Sequence, residues 1–358
     1  MSLSPKLIPP FVRTADSVQK IMADVLFALL PVCFMAWVAF GMEPVLVILV
    51  SCGSAVATEF LFSRLYLGKT DGVADGSSLV TGTLLACTLA PFTPLYVVAF
   101  GGAMAVLFGK LLAGGLGRNR FNPALVGREF MTVFFPAVMT SGTIWYHHEA
   151  VNVARLDWFP DAFADSLLFK GSGAIGEYSV VLLVLGGLFL LLRNRISWHI
   201  PVALTVTFTV LFLLLPDGDY RFSLGGVLLG AIFMATDMPT SSSTFSGRLY
   251  HGAMIGAVAV MCIAFGVKHE YMSYSILLAN AFVVPVDWVF RPRVWGGKKR
   301  LAVRIGEGIA LTAAIFSATG IVIWLHFQGW VMYLVFVYIV WCIGGFFMRQ
   351  RKPDVGVE

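Results

Sequence analysis

Charge is what this sequence has least of. Only 13% of its 358 residues are Asp, Glu, Lys or Arg, against roughly 25% in a typical soluble domain. Hydrophobic residues make up 58%, and the mean hydropathy is +0.84. That balance excludes a water-soluble globular domain and reads as an integral membrane protein. Cysteine is also scarce. Cys33, Cys52, Cys87, Cys262 and Cys342 all stand in apolar runs, and none forms a CxxC or Cys/His spacing. An iron–sulfur or zinc site on this chain is therefore not expected. A GxGxxG loop in a strand–helix setting is absent, which argues against NAD binding. The segment up to Lys20 is polar and has no h-region, so no cleavable signal is expected. The net charge of +5 is not a nucleic-acid footprint, because the basic residues fall between apolar runs, where they set orientation.

The apolar runs predict twelve spans, near 21–41, 44–66, 78–91, 95–113, 123–140, 177–192, 198–215, 223–236, 249–267, 272–290, 306–326 and 329–348. In this arrangement nearly all Lys and Arg, Lys110 among them, fall on one side. The opposite loops carry Glu43, an acidic 141–176 stretch, Asp217, Asp219 and Glu270. By the positive-inside rule both termini are cytoplasmic. The expected divisions are a cytoplasmic segment 1–20, a five-span unit 21–140, an external loop 141–176, a second five-span unit 177–291, a basic cytoplasmic loop 292–305, a C-terminal hairpin 306–348 and a cytoplasmic tail 349–358. Two five-span units of opposed orientation are an inverted repeat. The fold class is thus an all-α polytopic membrane protein with two inverted five-helix repeats, broken helices and a two-helix hairpin. The loop pair His147-His148 reads as solvated rather than metal-ligating, and no metal site is expected. The tryptophans read as an interfacial belt.

The stretch 75–128 organises the chain. Thr81 to Ala90 is too short to cross a bilayer, which needs roughly 20 apolar residues, and Pro91 and Pro94 follow it at once. Such breaks at membrane depth are tolerated where the freed backbone faces protein or a cavity. The polar loop Gly114-Gly115-Leu116-Gly117-Arg118-Asn119-Arg120-Phe121-Asn122-Pro123 comes next. A fainter copy lies at 225–252, where Gly226-x-Leu228-Leu229-Gly230 echoes Gly82-x-Leu84-Leu85-Ala86. Paired interrupted segments point to a midplane binding site. Asn122 before Pro123 suits a helix N-cap. Asn119 and Asn122 also suit the imide edge of an isoalloxazine ring, since a carboxamide offers a donor and an acceptor. Asp237, with hydroxyls such as Thr236 and Thr240 around it, is an ionisable residue at membrane depth and so a functional candidate. It also suits a helix end, and the hydroxyls suit a flavin, an ion path or a broken backbone equally. Asp24, Glu59, Glu129 and Asp287 are the other acids in or beside spans. Arg64 is the expected partner of Glu59, and nearby arginines are the expected partners of Asp24 and Asp287. Any of the four is a candidate ion-path residue.

The stretches DGSSLVTGxLLAxTL, GGLGxNxFNPALVGR and FMATDMPTSSxT resemble the family of the D subunit of the Rnf complex and the B subunit of the Na+-translocating NADH:quinone oxidoreductase. The resemblance runs from Pro5 to about Trp295. It implies a bacterial cytoplasmic-membrane subunit of an ion-translocating (Na+ or H+) ferredoxin:NAD oxidoreductase. It implies partner subunits of the A, B, C, E and G types and bound flavin, as riboflavin or FMN. In this family FMN is attached to a threonine of the external loop. Here residues 154–179 contain no threonine, and Gly171-Ser172-Gly173-Ala174 continues with Ile175. The flavin is therefore expected to be non-covalent. A solute channel or transporter without redox work is the competing class, since broken inverted repeats serve it equally.

Overall fold

The computed structural model describes residues 16–68, 71–141, 144, 173–218, 220–291 and 301–350. No strand occurs among the described residues. The first half holds α1 (Val18–Phe40), α2 (Glu43–Phe62), α3 (Ser77–Cys87), α4 (Leu95–Val106), α5 (Pro123–Phe134) and the single turn α6 (Pro136–Met139). The second holds α7 (Val180–Leu192), α8 (His199–Leu213), α9 (Leu224–Leu229), α10 (Phe245–Ala264), α11 (Tyr271–Ala281) and α12 (Val283–Phe290). The hairpin follows as α13 (Leu301–Phe327) and α14 (Val331–Gln350). Among the described residues, five helices are long and apolar enough to cross a membrane, and α11 with α12 makes a sixth if that bent pair is one span. The chain is an all-α, multi-pass membrane protein.

Prolines set two breaks the sequence did not predict. The expected 272–290 span bends by 55° between α11 and α12. Pro285 lacks the N–H that would bond Ala281, and its ring crowds that carbonyl. The expected 123–140 span stops at Phe134. Phe135 precedes Pro136 and is pushed out of helical geometry, to φ −130° and ψ 52°. Side-chain caps start other helices: the Ser17, Ser179, Ser223 and Thr244 hydroxyls accept from the first turns of α1, α7, α9 and α10.

Glycine lets pairs of helices approach at backbone distance. A Cβ on Gly252 or Gly256 of α10 would stand 2.5 Å or 2.6 Å from the Ile200 or Leu204 carbonyl oxygen of α8. In the first half, a Cβ on Gly102 of α4 would stand 2.7 Å from the Ser51 carbonyl oxygen of α2. Small residues are how membrane helices gain contact without a hydrophobic driving force between them. The α2–α4 and α8–α10 pairs thus occupy the same ranks in their halves. The hairpin divides its contacts. α13 lies on α10, α11 and α12, with the Tyr250 and Thr312 hydroxyls 2.8 Å apart. α14 lies on α5, and the Tyr338 hydroxyl donates to the Phe108 carbonyl at 2.9 Å.

Candidate functional site

Two of the helices around the site, α4 and the second interrupted segment α9, end in a similar local device. Backbone Leu107–Leu111 after α4 and Gly230–Met234 after α9 are each one π turn, closed by Leu112 N to Leu107 O (2.9 Å) and Ala235 N to Gly230 O (2.7 Å). Such turns are rare and gather at functional positions. The glycine loop follows the first. Gly114, Gly115 and Gly117 all take positive φ, at 117°, 93° and 82°, a region side chains disfavour. That is why the loop needs its glycines, and it returns the chain to set Asn119 and Asn122 beside residues 234–240.

A cavity of about 250 Å³ lies there. Val25, Val80, Leu84, Leu190, Ile232 and Phe233 wall it, with Ser77, Thr81, Lys110, Asn119, Asn122, Thr236 and Asp237 as polar lining. Asn119 Nδ2 reaches Asp237 Oδ2 at 3.4 Å, while Asn119 Oδ1 is buried without a hydrogen-bond partner. Asn122 is differently employed. Its Oδ1 accepts from Ala124 N (3.0 Å) and Leu125 N (3.4 Å), capping α5, and its Nδ2 donates to Met234 O at 3.2 Å. Thr236 Oγ1 bonds back to Ile232 O at 2.5 Å. Thr240 Oγ1 donates to Asp237 Oδ2 at 2.9 Å and braces it from outside the cavity wall. With its amide oriented so that the nitrogen faces the carbonyls, the Asn280 carboxamide joins the same knot, donating to Thr240 O at 2.9 Å and accepting from Asn122 N at 3.1 Å.

Two expected pairings are corrected. Glu59 does not use Arg64. Its Oε1 takes Lys110 Nζ at 2.6 Å, and Ser78 donates to Oε2, both within the buried interior. Lys110 is 3% exposed, so it is no loop cation and does not count towards orientation. Asp287 meets hydroxyls, not arginine: Ser242, and Ser243 through N (3.0 Å) and Oγ (2.9 Å). Asp24 is paired as expected, with Arg193 (3.2 Å) and Arg195 (2.6 Å). Arg195 also holds Asp16 (2.7 Å), and this hydrogen bond keeps the Asp16 carboxyl below its ordinary range. Glu129 has no hydrogen-bond partner on either oxygen.

The sequence reading passed over Lys110, Asn280 and Arg195 as site residues. A lysine inside the apolar run 95–113 was the available signal. Ile175 is fully buried and its N–H donates to Leu89 O at 2.9 Å. Ser172 and His147-His148 lie outside the described residues.

A second cavity, about 480 Å³, opens around Arg128, Glu177, Tyr220, Arg221, Lys268 and His269. Burial pushes the His269 imidazole below its ordinary range.

Comparison with known proteins places these features. The chain is 33% identical over 319 residues to the D subunit of the proton-translocating ferredoxin:NAD(+) oxidoreductase complex of Clostridium ljungdahlii, covering 81% of this chain and 95% of that one. It is 34% identical over 301 residues to the Na(+)-translocating counterpart of Acetobacterium woodii, covering 81% and 94%. It is 32% identical to the D subunit of the ion-translocating oxidoreductase complex of Stutzerimonas stutzeri, covering 80% and 94%. The NQR2, RnfD, RnfE family matches residues 7–296. With that match over most of its length, this chain belongs to the NQR2, RnfD, RnfE family.

Proposed function

We propose that this chain is a D-type membrane subunit of an ion-translocating ferredoxin:NAD oxidoreductase, and that the 250 Å³ cavity takes the ring system of a non-covalent flavin. The carrying observation is the meeting of the two interrupted segments, which sets Asn119, Thr236 and Asp237 on one apolar cavity. Ligand pockets have this character: mostly apolar walls with a few convergent polar groups. The fit rests on the orphaned Asn119 Oδ1, a ready acceptor for a flavin imide N–H. Asn122, committed to its cap, holds the wall in place. The cavity is smaller than the roughly 300–1,000 Å³ of typical ligand sites, which suits a ring system without its phosphorylated tail. A bound flavin supplies one-electron and two-electron transfer. The chain's own residues orient it and keep water away.

The relatives' names describe subunits of multi-subunit complexes, which is the support for partners of the A, B, C, E and G types in a bacterial cytoplasmic membrane. The two halves are read as inverted repeats, supported by the matching ranks of their glycine-packed helix pairs.

Purified whole complex carrying Asn119→Ala tests the flavin reading. A lost buried contact of about 1–3 kcal/mol lowers affinity roughly ten- to a hundredfold, so acid-extractable flavin per complex should fall. The band of this chain should stay dark under ultraviolet light on a denaturing gel. Undiminished extractable flavin in that variant would overturn the assignment to this cavity.

A further inference from the structure

Away from the flavin cavity, α5 carries a buried acid without a partner. Glu129 lies half-way along the helix, 7% exposed, with both carboxylate oxygens lacking hydrogen bonds. α5 packs against α11, and Ser273 of that helix and Glu270 just before it are the groups that act on Glu129. Glu270 is 4% exposed and its Oε1 also lacks a partner. Ser273 Oγ, on a residue 2% exposed, is turned toward Glu129 without making a hydrogen bond. Two carboxylates and a hydroxyl thus converge, with unused oxygens, in a buried place.

Elementary electrostatics limits what such a place can be. A buried ionised carboxylate needs a counter-charge or hydrogen-bond donors, and two close carboxylates cannot both stay ionised unless a cation lies between them. The surroundings supply partial compensation. Arg128, next on α5, contributes positive potential to Glu129, while its guanidinium reaches the carbonyls of Thr88 and of His269 (3.2 Å). Tyr274 stands near both carboxylates, with its hydroxyl 2.9 Å from His326 Nδ1 on α13. α14 sends its Tyr338 and Cys342 to the Phe108 carbonyl instead. α4 presents Gly101 and Ala105 to its side of α5. Access exists as well. Arg128 and Ser273 both line the 480 Å³ cavity, so an ion entering it meets Ser273 before Glu129.

We propose that Glu129, Glu270 and Ser273 form an intramembrane binding site for a small monovalent cation, a proton or Na+, reached through the 480 Å³ cavity. The chemistry shared by the two ions is their attraction to a buried, negatively charged carboxylate oxygen. Oxygen ligands suit Na+, and a proton shared between the two acids leaves one negative charge to Arg128. The site is separate from the flavin cavity and does not depend on a flavin being there.

Infrared difference spectra of the whole purified complex read the acids directly. One titration raises Na+ at fixed pH; the other raises pH at fixed Na+. Wild-type complex should show a carboxyl band that responds to one of them, the responsive titration naming the ion. Glu129→Gln and Glu270→Gln should each abolish that band. Flavin content, measured on the same samples, should stay unchanged, which separates this proposal from the flavin reading. Glu129→Asp keeps the chemistry while retracting the ligand, and it covers the case in which the Gln variants fail to assemble. It should shift the half-saturating ion concentration by at least about tenfold, as expected for one weakened buried contact. A carboxyl response that survives both Gln substitutions, or no shift in Glu129→Asp, overturns the proposal.

Discussion

Lys110 shows what a single residue can hide. In sequence it sits at the end of an apolar run and reads as a loop cation. In the fold its ammonium is 2.6 Å from Glu59 and also within 3.7 Å of Asp75. Breaking a buried ion pair from one side leaves the other charge stranded, at a cost of about 3–5 kcal/mol. Lys110→Met should therefore sharply lower the unfolding temperature of the detergent-purified complex. The double variant Lys110→Met with Glu59→Leu should recover most of the loss. A single variant as stable as the parent would show that the pair carries no structural weight. The same pair marks a limit of legibility. Both charges stand in the sequence, but their meeting depends on α2, α3 and the first π turn converging, and no spacing along one element encodes that. Asn122 was legible for the opposite reason. Its cap is set by its own neighbours, Pro123 to Leu125, so local chemistry sufficed.

At the scale of elements, the helix order was readable because each apolar run is bounded by its own Gly, Pro or charge. The bends at Phe135 and Phe282 follow from Pro136 and Pro285, residues present in the sequence but enclosed there within the expected spans 123–140 and 272–290. The close pairs α2–α4 and α8–α10 were not readable. A glycine on a helix does not announce which neighbour it meets. Their importance is testable by contrast. Gly256→Leu would drive its side chain into the Leu204 carbonyl and should separate α8 from α10, with misassembly or a loss well beyond the about 1–3 kcal/mol of ordinary overpacking. Gly344→Ala on α14 meets nothing within 4 Å and should be neutral or slightly stabilising. Complex yield and unfolding temperature compare the two. Equal tolerance at both positions would refute the close-packing account.

For the whole molecule, orientation rests on the distribution of basic residues, with Lys110 now removed from it. The remaining loop cations still favour one side. Single cysteines placed at Asp157 and Lys298 on a cysteine-free background should give labelling from outside at the first and protection at the second. The reverse pattern would invert the topology. The divided hairpin carries a further consequence. α13 is fastened to one half through Thr312 and His326, and α14 to the other through Tyr338 and Arg349. The short turn 328–330 links them along the chain. The pair therefore works as an outer clasp across the seam: any opening of the halves must unfasten one of its two ends as well as the direct bonds beneath it, Asn122 to Met234 and Arg195 to Asp24.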